Sequence, residues 1–144
     1  MSRASKFFLL YSVLSLLVLQ SGCSHTTAPA PLSDKFHDIQ TRTLNVYCAY
    51  SGCHGGDQPA ALLSLDSTQS YANLLGGHVI QNEMADTIYK ALVVPNKPDS
   101  SFLYIKLTNP TTDEGARMPN RGDQLPQDQI DAIKSWILRG APND

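Results

Sequence analysis

Cys48-Ala49-Tyr50-Ser51-Gly52-Cys53-His54 is the stretch on which the reading of this chain turns. Two thiols flank four residues, and an imidazole follows the second thiol directly. Three chemistries use such a set. A disulfide closes a tight loop in an oxidising compartment. The two sulfurs and His54 can join a distant histidine around zinc. Alternatively, each thiol adds to one vinyl group of a haem, and the adjacent imidazole is carried beneath the iron. The usual haem-attachment motif has two residues between its cysteines. Four leave extra backbone that has to loop outward while both sulfurs still reach. Gly52, which tolerates positive φ, and Ser51 suit that bulge. Gly55 and Gly56 after the ligand let the chain pass close to a porphyrin edge.

Upstream, the residues describe an export route. Arg3 and Lys6 precede an uncharged, largely apolar run from Phe7 to Leu19, followed by small residues leading into Cys23. This is the pattern of a secretion signal. The run is shorter than the roughly 20 apolar residues of a membrane-spanning helix. Leu19-Gln20-Ser21-Gly22-Cys23 resembles a bacterial lipoprotein signal, in which the cysteine is acylated and becomes the new N-terminus. Gln20 departs from that pattern, which usually has an aliphatic residue there. Ordinary cleavage nearby, leaving Cys23 free or removed, is the alternative. The expected division is a signal peptide over 1–22, a flexible tether over 23–33 and a folded domain over 34–144. The tether reads as small residues and prolines without apolar periodicity, and His25 within it is expected to be solvated. Without Arg3 and Lys6 the chain has nine basic against thirteen acidic residues. That balance offers no basic field for nucleic acid.

Downstream, the periodicity is helical. Phe36, Ile39, Val46 and Tyr47 predict a first helix from Asp34 to about Tyr50, capped by Ser33 or Asp34. His37 is a surface residue on it. Thr68 to Leu75 predicts a second helix, capped by Asp66 or Ser67 and stopped by Gly76-Gly77. The segment from His78 to Val94 is ambiguous. Pro95 to Pro98 predicts a turn, and Asp99 or Ser100 caps a helix through Phe102, Leu103, Ile105 and Leu107. A long loop from Thr111 to Gln124 is of the kind that carries function. Pro126 starts a last helix with Ile130, Ile133, Trp136 and Ile137 on one face, and Gly140 and Pro142 lie beyond its end. Trp136 is expected to pack that helix against the first helix and the haem. The class is mostly α, without repeats or strand alternation. Arg121-Gly122-Asp123 spells a cell-adhesion tripeptide, too short a match to inform.

Cys48 to Gly56, Val93-Val94-Pro95 to Leu107, Gly115-Ala116-Arg117-Met118-Pro119, and Gln129-Ile130 to Gly140-Ala141 together resemble a family of bacterial monohaem cytochrome c domains. The likeness covers nearly all of the chain after the tether, with the segments in the family's order. It implies a cytochrome c-like helical domain wrapped around one covalent haem c, bound by Cys48, Cys53, His54 and Met118. His54 and Met118 would be the axial metal ligands. The residues themselves also favour Met118: it sits beside Pro119 in a polar loop, where a gap-filling core methionine is out of place. Met84 and His78 are its rivals. Arg117 either pairs with a haem propionate or stands exposed.

With both axial positions taken by protein, single-electron transfer is the expected function and no substrate turnover is expected. Partners would be redox proteins, and neither nucleic acid nor a small-molecule substrate is expected. The site would be periplasmic, tethered to a bacterial membrane through lipid on Cys23. Two further readings stay open: an electron-transfer subunit of a periplasmic oxidoreductase complex, and a non-haem lipoprotein binding module with a Cys48–Cys53 disulfide.

Overall fold

The computed structural model describes residues 30–77 and 82–144. The signal segment, Cys23, His25, most of the tether and His78 lie outside the described residues. Pro31–Asp144 forms one compact unit. Among the described residues there are helices and a single isolated bridge, Ser51 to Gly55, but no strands. No helix among them is long and apolar enough to cross a membrane.

Helix α1 (Phe36–Ile39) runs without a break into a nine-residue π-helix (Gln40–Cys48). A π-turn is wider than an α-turn, with i→i+5 hydrogen bonds. Its buried residues, Gln40, Thr43 and Leu44, nonetheless continue the three-to-four-residue step set by Phe36 and Ile39. Val46, expected on the apolar face, is instead exposed. The expected caps also differ. Ser33 donates to Asp38 instead, and the first N–H groups of α1 are met from the other end of the chain. Asp144 accepts from Phe36 N–H through its carboxylate (3.1 Å) and from His37 N–H through its carbonyl (2.8 Å). Arg139 bridges Asp144 and Asp34 at 3.1 and 2.9 Å, closing this seam between the two ends.

Helix α2 (Ser70–Gly76) starts later than Thr68 because Asp66 receives Gln69 and Ser70 on its backbone carbonyl, while its side chain turns to Gly56 and Ser64. A buried amide ties α2 to the π-helix: Gln40 donates to Asn45 (2.7 Å) and to the Leu65 carbonyl (3.0 Å), and it accepts from the Ser70 hydroxyl. The described part of the ambiguous segment forms a short helix, α3 (Glu83–Ile88), capped by Asn82, followed by irregular chain with bends at Lys90 and Leu92. Helix α4 (Phe102–Thr108) is capped at Ser101, not at Asp99 or Ser100, which lie in a 3₁₀ turn (Pro98–Ser100). The buried Ser101 hydroxyl knits that turn, accepting from Val94 N–H at 2.9 Å and donating to the Lys97 carbonyl at 2.8 Å.

Helix α5 (Gln127–Leu138) follows its pattern: Ile130, Ile133, Trp136 and Ile137 are all buried. Phe36 lies between Tyr71 and Trp136, with ring centroids 5.0 and 5.1 Å away, so α1, α2 and α5 share one aromatic cluster. Burial of each such side chain contributes roughly 1.5–3 kcal/mol. The indole N–H donates to the Pro142 carbonyl (2.8 Å), so the one polar group of the buried Trp136 ring is satisfied. This core forms the floor on which the cysteine loop and the Met118 loop stand.

Candidate cofactor site

The π-helix ends at Cys48, and the next seven residues close on themselves. His54 N–H donates to the Cys48 carbonyl at 3.0 Å, and the Tyr50 carbonyl accepts from both Cys53 (2.9 Å) and Gly55 (3.0 Å). The four-residue insertion therefore forms a hydrogen-bonded bulge that carries both cysteines. Gly52 sits at its tip with φ +82°, as its expected role requires. Gly55 has a different role from the expected one. A Cβ there would lie 2.4 Å from the Ala49 carbonyl oxygen, so Gly55 is needed to let the bulge close on its own backbone.

His54 is fixed twice by the segment that returns beneath it. Its carbonyl accepts from Leu65 N–H (2.7 Å), and its ring Nδ1 lies 3.2 Å from the Leu63 carbonyl oxygen. A carbonyl can only accept, so Nδ1 is the donor in this contact, which leaves Nε2 as the ring nitrogen available to a metal. Cys48 and Cys53 are both free thiols and half-buried. Burial first, and the neighbouring Cys53 second, push the Cys48 thiol up to about 11, so it stays protonated near neutrality.

Met118 comes from the long loop between α4 and α5. Its N–H donates to the Lys106 carbonyl (2.7 Å), and the neighbouring Arg117 guanidinium donates to the Leu107 carbonyl (2.8 Å). These are carbonyls of the last turn of α4, which have no partner within the helix. The loop is thus held by the orphan acceptors of a helix end. Arg117 also reaches Gln124 (2.6 Å), so its guanidinium is engaged within the loop and not simply exposed.

Two adjoining cavities meet at these residues. One, of about 270 Å³, is apolar, walled by Leu63, Leu65, Leu74, Leu92, Phe102 and Leu103, with Lys106 and Glu114 at a polar corner. The other, of about 220 Å³, is walled by Tyr47, Gly52, Cys53, Pro119 and Arg121. Cys48, His54 and Met118 line both. The four residues named from the sequence thus lie together, Cys48, His54 and Met118 lining both cavities and Cys53 the second. Met84 does not: it is 55% exposed on α3 and lines neither cavity. Trp136, expected to touch the cofactor, is fully buried among the helices and lines neither cavity either. His37 is exposed, as is the Arg121-Gly122-Asp123 tripeptide.

The donor set fits a haem. The apolar chamber suits a macrocycle, two unjoined thiols stand beside it, and an imidazole nitrogen and a thioether sulfur share its walls. A tetrahedral zinc site fits less well, because among the described residues no three His, Cys, Asp or Glu side chains gather as a metal-holding group.

Sequence reasoning missed the polar corner. Glu114 is buried, accepting from the Tyr89 hydroxyl and from Thr111 N–H (2.6 Å). Those hydrogen bonds, the Tyr89 one first, hold its carboxyl below the usual range. Lys106 donates to the carbonyls of Glu114 (3.0 Å) and Ala116. The only sequence signal was a lone charge inside Phe102-Leu103-Tyr104-Ile105-Lys106-Leu107. No protein-family model, curated protein or solved structure matches this chain.

Proposed function

We propose that this chain is a monohaem c-type cytochrome domain that carries single electrons, with Cys48 and Cys53 as thioether anchors and His54 and Met118 as axial ligands. The observation that carries the reading is the meeting of the Cys48–His54 motif with Met118, far along the chain, at two adjoining cavities, one of them apolar. A bound haem c supplies the reversible one-electron step between ferric and ferrous iron.

The chain's own residues do the rest. The thiols of Cys48 and Cys53 would hold the group, each by adding S–H across a vinyl C=C, a step that needs no oxidant. The closed bulge from Cys48 to His54 holds both sulfurs and the imidazole in one rigid unit, so attachment and ligation are set together. The Leu63 carbonyl orients the His54 ring and makes Nε2 a better donor. The Met118 thioether is soft and neutral, favours ferrous iron and raises the potential. The leucine chamber keeps water from the cofactor. His54 and Met118 would together occupy the iron's coordination positions, so the domain would transfer electrons without substrate turnover of its own. Redox proteins are its partners. Export, acylation at Cys23 and tethering to a membrane in the periplasm complete the proposal and rest on the N-terminal sequence alone.

Expression with a cytochrome c maturation system tests it. The product should be red and keep its haem through denaturing electrophoresis. A colourless product from a system that matures a control cytochrome would refute the reading.

A further inference from the structure

We propose that Lys106 is a positioning residue for Met118: its ammonium and its backbone carbonyl together clamp the ligand loop against the end of α4. The inference rests on the reading of Met118 as an axial ligand.

Three hydrogen bonds from one residue reach both sides of the loop. The Lys106 carbonyl accepts from Met118 N–H at 2.7 Å. Its ammonium donates to the Glu114 carbonyl at 3.0 Å and to the Ala116 carbonyl. The side chain thus spans the segment directly before Met118. Gly115 lies between the two gripped carbonyls with φ +78°, and a Cβ there would come within 3.5 Å of the ammonium. The left-handed turn is what points both carbonyls at one donor. The ammonium also stands 5.8 Å from the Phe102 ring centroid, over a residue that walls the apolar chamber. It is half-buried, its hydrogen bonds go to neutral carbonyls, and the nearby Glu114 carboxylate favours its charged form.

Without the ammonium, the carbonyls of Glu114 and Ala116 lose their donor, and only the Met118 and Arg117 contacts keep the loop on α4. A thioether binds ferric iron more weakly than ferrous, so the oxidised state reports the loosening first. A ligand that competes for the iron binds only when the sulfur is off, so its apparent affinity rises with the fraction of open loop.

The test uses the haem-loaded protein in its ferric form, titrated with free imidazole. Lys106→Met should bind imidazole about tenfold tighter than the wild type, the effect of losing about one charge-assisted hydrogen bond. It should also lose part of its sulfur-to-iron charge-transfer absorption. Lys106→Arg, which keeps the donors, should restore most of the wild-type affinity. Lys106→Gln, which keeps a neutral donor, should fall between and serves if Lys106→Met does not fold. Ile130→Val, a core change in α5, should lower the melting temperature without moving imidazole affinity. Unchanged affinity in both Lys106→Met and Lys106→Gln, with tighter binding in Met118→Ala, overturns the clamp and leaves the axial ligand in place. A Met118→Ala spectrum identical to the wild type overturns the ligand assignment, and the clamp with it.

Discussion

Replacing Gly55 by alanine puts a methyl carbon 2.4 Å from the Ala49 carbonyl oxygen and 2.6 Å from its carbon. Ordinary contact begins at 3.4 Å, so the two backbones have to part by about 1 Å, and the moving atoms belong to the residue directly after Cys48. Overpacking of this kind costs roughly 1–3 kcal/mol, and a clash between backbones belongs at the upper end. Gly52→Ala is the matched control: nothing lies within 4 Å of its new Cβ, and only the φ of +82° opposes it. Left-handed backbone costs an L-residue roughly 1–2 kcal/mol. At about 4 °C per kcal/mol for a domain of this size, Gly55→Ala should melt roughly 10 °C lower and Gly52→Ala roughly 5 °C lower. The second readout is attachment. Gly55→Ala displaces Cys48 relative to Cys53 and should accumulate chains with a single thioether, seen as incomplete linkage in peptide mass spectra. Gly52→Ala should remain doubly linked. If Gly55→Ala melts like the wild type, or links haem no worse than Gly52→Ala, the account of the bulge is wrong.

Three other outcomes are expected. Met118→Ala should abolish the sulfur-to-iron absorption and lower the potential on the order of 0.1 V, a fraction of the span that axial ligands command; Met84→Ala should change neither. The Glu114 carboxyl titrates lower in the folded chain than its ordinary 4.5, because of its hydrogen bonds to Tyr89 and Thr111. Its stabilisation is therefore complete above about pH 4.5 and is lost as pH falls through the lower folded value. Glu114→Gln should flatten that acid limb in a urea-unfolding series, leaving the part due to Asp144, which is depressed as well. Gln40→Ala strips the buried Ser70 hydroxyl and Leu65 carbonyl of their partner and should destabilise the domain by about 2 kcal/mol in denaturant titration.

Legibility in the sequence depended on whether the signal was local. Helix α5 reads directly because Ile130, Ile133, Trp136 and Ile137 keep the α-period and face one core. The first helix reads only in part: Phe36 and Ile39 are buried as the period requires, but from Gln40 the chain winds as a π-helix, its buried side includes the polar Gln40 and Thr43, and Val46 is exposed. Nor do its caps: Asp144 serves α1 from the far end of the chain, and no local motif announces that. At the site, the cysteine motif and Met118 carried their chemistry in residue type and spacing. The hydrogen bonds from Lys106 to the loop before Met118 were hidden, because they depend on backbone carbonyls that any residues at positions 114 and 116 would supply. The need for glycine at position 55 was hidden too, because the contact that requires it is with the chain's own backbone.

The most direct test of the central claim is the mass of the peptide spanning Cys48 to His54, released by proteolysis from protein matured in a haem-attaching host. The account requires one peptide heavier by a single haem, bound through both sulfurs. A peptide of unmodified mass, or one bearing only an internal disulfide, would contradict it.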